Sequence, residues 1–358
     1  MWPTHPLDAA DPAPMHNLYF GACGVIWALR YLEDQGATSL SKDYTAIVPA
    51  LLAPNRAQME VEEGTPFGSF LMGDTSIRML EFQVAPSPQI AAELSRLIEA
   101  TKNHPARELM WGSPGTLLAA LFLHRHTGDE AWARLFRETA AMLWSQLQPS
   151  ADGSCQVWSQ DLYGRHSTYI DAVHGFVATA APLIQGRDLL DATDWVRWRE
   201  CIANTIRRTA RWEGPLASWP PRMDSLPGDL KLMQYCHGAP GFVICLAHFP
   251  GDALDDLLAA GAEATWAAGP LRKGSNLCHG TGGNGYAFLK LYRRTGDALW
   301  LDRARAFAMH GIAQVEAARA QYGQGRYSLW TGDPGFAIYL LDCIRGQDRF
   351  PRADVFFG

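Results

Sequence analysis

Apolar residues along the chain recur at spacings of three and four rather than alternating, as in Leu117, Leu118, Leu121 and Leu123, or in Phe288, Leu289, Leu291 and Tyr292. That is the period of a helix with one side turned to a core, so the chain reads as helical. Residues 44–52 and 89–100 read as amphipathic helices, the second opened by Ser87-Pro88, while 130–148 and 187–213 read as longer ones. Pro- and Gly-rich breaks fall at 150–154, 214–228 and 320–326.

Superimposed on this pattern is an internal repeat. A glycine turn followed at once by an apolar helix starts at Gly21, Gly73, Gly112, Gly175, Gly238, Gly280 and Gly332, as in Gly21-Ala22-Cys23-Gly24 and Gly332-Asp333-Pro334-Gly335. The first glycines stand 39 to 63 residues apart, enough for a two-helix hairpin with its loops. An open solenoid needs polar terminal repeats, yet the first copy (Val25, Ile26, Trp27, Leu29) and the last (Phe336, Ile338, Tyr339, Leu340) are as apolar as the middle ones. The expected fold is therefore all-α: a closed α/α toroid of seven helical hairpins with inner and outer layers, its glycine turns gathered at one mouth. One ring absorbs residues 1–358 as a single domain, with 1–17 an irregular N-terminal segment.

Composition narrows the function. With 358 residues, 47% hydrophobic and 13 tryptophans, the chain can bury a large core, which excludes disorder and a stapled miniprotein. A net charge of −6 supplies none of the positive field that nucleic-acid binding needs. Met1 to Asn17 lacks the basic start and apolar stretch of a secretion signal, and no apolar run approaches the roughly 20 residues of a membrane span. Seven cysteines at long spacings suit a reducing, cytoplasmic compartment better than a disulfide framework.

Two consecutive turns are preceded by the same pair, Cys236-His237-Gly238 and Cys278-His279-Gly280. Neighbouring turns in a ring would bring two thiols and up to two imidazoles together, and zinc takes sulfur and imidazole ligands; a buried Cys and an ordinary His-Gly helix start are the plainer alternative. His174 holds the same position in the fourth turn, where it either caps its own helix or exchanges a proton at neutral pH. Glu108, four residues before Gly112, reads as a carboxylate at the third turn or as a cap. Lys273 and Arg272 form a basic pair that would hold a substrate carboxylate or simply face water. His124 and His126 lie in what reads as a charged loop, Leu123 to Glu130. Gly280 to Gly285 satisfies G-x-G-x-x-G, but Leu271 to Leu277 is basic and turn-like rather than a strand, which argues against a dinucleotide site. A carbohydrate-active toroid would need paired carboxylates at the mouth, for which Asp74 and Asp333 are the only candidates.

The run Tyr235-Cys236-His237-Gly238-Ala239-Pro240-Gly241, followed by Leu277-Cys278-His279-Gly280-Thr281-Gly282-Gly283-Asn284-Gly285, resembles the LanC family of lanthionine cyclases and their LanC-like relatives. The likeness spans the seven turns, and Arg349-Phe350-Pro351 is similar to the ending of LanC-like proteins. The resemblance implies one zinc per chain held by Cys236, Cys278 and His279, with the fourth position left for a substrate thiol. It also implies that His174 is the acid/base residue, that Glu108 stands where cyclases place a carboxylate, and that Lys273 is a lysine associated with glutathione. Departures are Leu232 in place of an arginine, His237 in place of a tyrosine, Ser76 and Ala178 in place of turn glycines, and Thr331 in place of an acidic residue. The first two shift the chain from lantibiotic cyclases toward the LanC-like branch.

The expected chemistry is zinc-activated addition of a thiol, from glutathione or a peptide cysteine, to a dehydroalanine or dehydrobutyrine residue. The enolate formed by that addition needs a proton, for which His174 is the first candidate and His237 the second. The alkene would be supplied by a separate dehydratase, since one ring uses the whole chain. The rival reading is a zinc-binding regulatory or peptide-binding module without turnover.

Overall fold

A computed structural model describes residues 1–226 and 232–357. Among them are thirteen α-helices: α1 (Ala22–Asp34), α2 (Leu52–Gln58), α3 (Asp74–Val84), α4 (Pro88–Thr101), α5 (Ser113–Thr127), α6 (Glu130–Ser145), α7 (Phe176–Gln185), α8 (Ala192–Thr209), α9 (Ala239–Leu246), α10 (Asp255–Ala268), α11 (Thr281–Thr295), α12 (Ala298–Tyr322) and α13 (Asp333–Arg345). Each of the seven repeat glycines is the residue capping the N-terminus of an odd-numbered helix.

Burial separates two layers. Every residue from Ser113 to Leu123 of α5, from Thr281 to Leu291 of α11, and of α9 is buried, whereas the 25-residue α12 buries only Trp300, Ala304, Phe307, Ala308 and Gly311. Three of the even-numbered helices, α4, α6 and α12, start at polar residues whose side chains cap them. Ser87 Oγ accepts from the Ile90 backbone N–H at 3.2 Å ahead of α4, Asp129 caps α6 through Ala131, and Asp297 caps α12 through Leu299. Each odd-numbered helix contacts the next, from α1 through α3, α5, α7, α9 and α11 to α13, and α13 contacts α1. The contacts thus run in a closed cycle.

Backbone bonds at the turns follow the same cycle. The residue two before each glycine supplies most of them: Tyr19 N–H donates to Leu71 O (3.1 Å), Leu71 to Met110 O (3.4 Å), Cys236 to Cys278 O (3.0 Å), Cys278 to Trp330 O (2.9 Å), and Trp330 back to Tyr19 O (3.3 Å). Leu109 N–H donates to Val173 O at 3.1 Å, and the Tyr235 hydroxyl reaches Ala172 O at 3.3 Å.

The small residue at the fourth place of each turn is explained by crowding. A Cβ added at Gly24, Gly115, Gly241, Gly283 or Gly335 would run into the carbonyl oxygen six residues earlier, of Leu18, Leu109, Tyr235, Leu277 and Leu329 respectively. In the second turn Ser76 occupies this place, and its hydroxyl donates to that same carbonyl, Phe70 O. Gly241→Ala is therefore expected to destabilise the protein by about 1–3 kcal/mol, since its Cβ would also meet Ala172 Cβ at 2.5 Å. Thermal denaturation checks this, and an unchanged melting temperature would contradict it. Gly238 alone among the seven capping glycines has a left-handed φ, +110°, which a side chain would resist.

Several expectations change. The chain is mostly rather than wholly helical, with three two-stranded antiparallel ribbons among the described residues: β1 (Gln148–Pro149) with β2 (Gln156–Val157), β3 (Gln160–Leu162) with β4 (Arg165–Ser167), and β5 (Arg211–Glu213) with β6 (Leu216–Ser218). They are too short for a period-two pattern to show. The expected helix at 44–52 is two 3-10 turns, Thr45–Ile47 and Pro49–Leu51, because Pro49 lacks the N–H to continue a longer element; α2 follows. The helix expected at 187–213 is α8 alone, flanked by a 3-10 turn and by β5, and the one at 130–148 stops at Ser145 as α6. The break at 150–154 is the turn joining β1 to β2, and the last two residues of the break at 214–228 lie outside the described residues. Seven hairpins become seven capped helices with six partners among the described residues.

His124 and His126 are not in a loop but in the last turn of α5, which runs on until Gly128 adopts the left-handed conformation at φ +69°. Asp74 and Asp333 do not pair with each other: Asp74 is bound by Arg56 and Asp333 accepts from the Arg326 backbone. Residues 1–17 contain no helix or strand, yet Asp8 is fixed to Arg326 and accepts from Thr331 Oγ1 at 2.9 Å. Among the described residues no helix is long and apolar enough to cross a membrane.

Candidate functional site

Five of the seven turns share one local plan. In these, the side chain four residues before the glycine folds back to accept the backbone N–H just before it. Asn17 Oδ1 takes Phe20 N–H, Ser69 Oγ takes Met72 N–H, Asp171 Oδ1 takes His174 N–H at 2.7 Å, and Asn276 Oδ1 takes His279 N–H at 2.9 Å. Glu108 does the same, receiving Met110 N–H at 2.9 Å and Trp111 N–H. This satisfies buried backbone donors of the turn just ahead of the capping glycine.

In the third and fourth turns this residue is a carboxylate, and its remaining capacity reaches the imidazole of the next turn. Glu108 Oε2 lies 2.9 Å from His174 Nδ1, and Asp171 Oδ2 lies 2.7 Å from His237 Nδ1. Both carboxylates are fully buried, and both imidazole side chains remain partly open, at 15% and 22% exposure. The two rings stand 6.3 Å apart. Burial pulls the His174 pKa down, but the hydrogen bond and charge of Glu108, helped by Asp171, outweigh it and leave the pKa raised.

The two cysteines, at equivalent places in the fifth and sixth turns, are buried and their thiols are hydrogen-bonded to each other. The bond from Cys236, reinforced by His279 and by the Tyr19 hydroxyl, holds the Cys278 thiol well below its ordinary pKa, while Cys236 moves up as the partner that keeps the proton. Tyr19 Oη donates to Cys278 Sγ at 2.8 Å, and Gln234 Nε2 donates to Cys236 Sγ at 3.1 Å. Lys273 Nζ donates to Gln234 Oε1 at 3.3 Å, one residue removed from the sulfurs. Arg272 is exposed beside it and joins the site through no hydrogen bond or ion pair among the described residues.

The donor types suit zinc: two sulfurs in contact, one already favouring its thiolate, and an imidazole bonded to that sulfur. Among the described residues no three His, Cys, Asp or Glu side chains stand fully drawn together in a metal-holding group. Cys236, Cys278 and His279 nevertheless fit the ion by donor type, a thiol, a neighbouring thiolate and an imidazole, since a bound cation would favour the second thiolate as well.

The structure thus brings together His174, Glu108, His237, Cys236, Cys278 and His279, with Lys273 at the edge and Arg272 outside. Asp171, Gln234 and Tyr19 were missed. Asp171 carried a readable signal, since it stands four residues before its glycine as Glu108 does. The contact of Tyr19 with Cys278 joins the first turn to the sixth, which no spacing announces.

A cycle of glycine-capped helices whose turns carry paired sulfurs beside two carboxylate-held imidazoles defines a helical-repeat protein with a cysteine- and histidine-lined cluster at its turns. The chain belongs to the lanthionine synthetase C-like family, whose family model, described as "Lanthionine synthetase C-like protein", matches residues 12–355. It is 31% identical over 267 residues to the LanC-like protein GCL1 of Arabidopsis thaliana, covering 69% of this chain and 58% of that protein. It is 27% identical to the glutathione S-transferase LANCL1 of Danio rerio, covering 98% of this chain and 87% of that one. The solved structure of nisin cyclase shares the fold with a TM-score of 0.68 at 15% identity, covering 94% of this chain and 91% of the other.

Proposed function

We propose that this chain is a closed α/α toroid that adds a thiol across the double bond of a dehydroalanine or dehydrobutyrine residue, forming a thioether. The observation that carries the reading is the meeting of the Cys236–Cys278 sulfur pair with the His174–Glu108 pair at one set of turns. Cys236, Cys278 and His279 would hold one zinc per chain. When bound, the zinc supplies a positive charge that keeps an incoming thiol ionised at neutral pH.

The thiol sulfur bonds to the alkene β-carbon and the π electrons move to the α-carbon side as an enolate. No group leaves, so the balance closes with one proton delivered to the α-carbon. His174 is the donor: Glu108 occupies Nδ1, which leaves Nε2 for the substrate, and its hydrogen bond and charge raise the ring's pKa, which favours the protonated form. His237, fixed by Asp171, is placed to share proton transfer. Lys273, with Arg272, would receive a carboxylate of the thiol substrate, which with the glutathione-transferase relative favours glutathione over an internal cysteine. The dehydrated peptide or protein would come from a separate dehydratase. All seven cysteines are free thiols, which supports a reducing, cytoplasmic setting.

Metal analysis coupled to mass spectrometry tests this. The expected result is about one zinc per chain and, with a dehydroalanine peptide, a mass gain equal to one whole glutathione when that thiol is supplied. Bound zinc without any mass gain would instead identify a binding or regulatory module.

A further inference from the structure

The residue immediately before the turn glycine divides the rim by chemistry. Turns four to six place His174, His237 and His279 there, turns one to three place Phe20, Met72 and Trp111, and the seventh places Thr331. Where these two arcs meet, the tip of the β3–β4 ribbon reaches over the site. Tyr163 at that tip is 65% exposed, its ring meets His174 edge-on with centroids 5.9 Å apart, and its hydroxyl accepts from Trp111 Nε1 at 3.3 Å. Trp111 in turn lies 6.4 Å from the half-buried Phe67.

The tip is an unusual place for tyrosine. Tyr163 and Gly164 have φ of +52° and +72°, the pattern of a two-residue hairpin turn that favours Asn-Gly or Gly-Gly. A bulky residue held in the left-handed region with most of its ring in water gains little for the fold. Its placement makes sense through what it touches, the candidate proton donor and an uncharged aromatic wall. The carboxylate nearest this wall, Glu108, is buried and fully engaged by Met110, Trp111 and His174.

We propose that Tyr163 determines acceptor specificity: its exposed ring, backed by Trp111 and Phe67, receives a large apolar side chain flanking the dehydro residue. The inference rests on the thiol-addition reading and names its substrate class, a peptide with an apolar neighbour beside the alkene. Because the same ring touches His174, a side chain seated on it holds the acceptor α-carbon beside the proton donor.

The test compares two dehydroalanine pentapeptides, flanked by phenylalanine or by glycine, with glutathione as thiol. Wild type is expected to favour the phenylalanine-flanked peptide about tenfold in kcat/KM. Tyr163→Ala should reduce that preference to about twofold or less, while Tyr163→Phe, which keeps the ring, should retain it. No preference in wild type, or an unchanged ratio in Tyr163→Ala, overturns the proposal. If wild type modifies neither peptide, the thiol-addition reading fails, and specificity is read by calorimetry with matching peptides carrying alanine in place of dehydroalanine. A roughly tenfold tighter binding of the phenylalanine-flanked peptide, lost in Tyr163→Ala, then supports the role of Tyr163, and equal binding by wild type overturns it.

Discussion

Cys278→Ala is expected to leave less than about a tenth of the wild-type zinc and to lower thioether formation by more than the roughly 100-fold that loss of an outer partner costs. Cys278 is the sulfur on which the site converges: it bonds Cys236 and His279, accepts the Tyr19 hydroxyl, and anchors the fifth turn through its carbonyl. Removing the sulfur leaves one thiol and one imidazole, too few for a stable zinc site. Alanine also leaves the buried Tyr19 hydroxyl without an acceptor, at a cost of about 1–3 kcal/mol. Cys278→Ser is therefore the companion variant, since it keeps size and an acceptor while removing the soft ligand. Both variants should retain the wild-type circular dichroism spectrum, and either one binding zinc at full stoichiometry would refute the assignment. Tyr19→Phe and Gln234→Ala, which touch the sulfurs without being ligands, should cost only about 10–100-fold.

The repeat glycines were legible in the sequence because their requirement is local. Each must admit a backbone at the start of a buried helix, so the residue type itself carries the signal, and all seven proved to be caps. The layers were legible for a similar reason, since an all-buried helix such as α9 has no polar side while α4 and α6 do. What failed was of three kinds. The ribbons are set by paired backbone bonds over two or three residues, below the length at which any period appears. The neighbourhood of the candidate site is set by the step from one turn to the next. The Glu108–His174 bond spans 66 residues and the Asp171–His237 bond spans the same 66, and this regularity emerges only once the turns are seen to be adjacent. Tyr163 escaped for a third reason, because it sits on an inserted ribbon outside the repeat.

His174→Ala is expected to keep its zinc and lose about 10²–10⁴ in rate, the range typical of a positioned general acid. The pH dependence distinguishes this role from a structural one. The acid must be protonated, so the rate should fall as pH rises through the raised pKa of His174. Glu108 opposes the downward pull of burial on that pKa, and Glu108→Gln removes its charge while keeping an amide oxygen for the backbone donors of the turn. The alkaline limb of the rate profile should therefore move to lower pH in Glu108→Gln, and an unmoved limb would show that another group gives the proton. Stability follows the same linkage. Because the folded-state pKa lies above the unfolded value near 6.5, the pairing contributes fully below that value and is lost as pH rises through the folded-state pKa. Wild type should thus lose melting temperature over that window relative to His174→Gln, which has no proton to lose. A parallel pair of curves would leave the kinetic limb without a titrating His174 behind it, and the proton would then be sought at His237, whose ring stands 6.3 Å away on its own carboxylate.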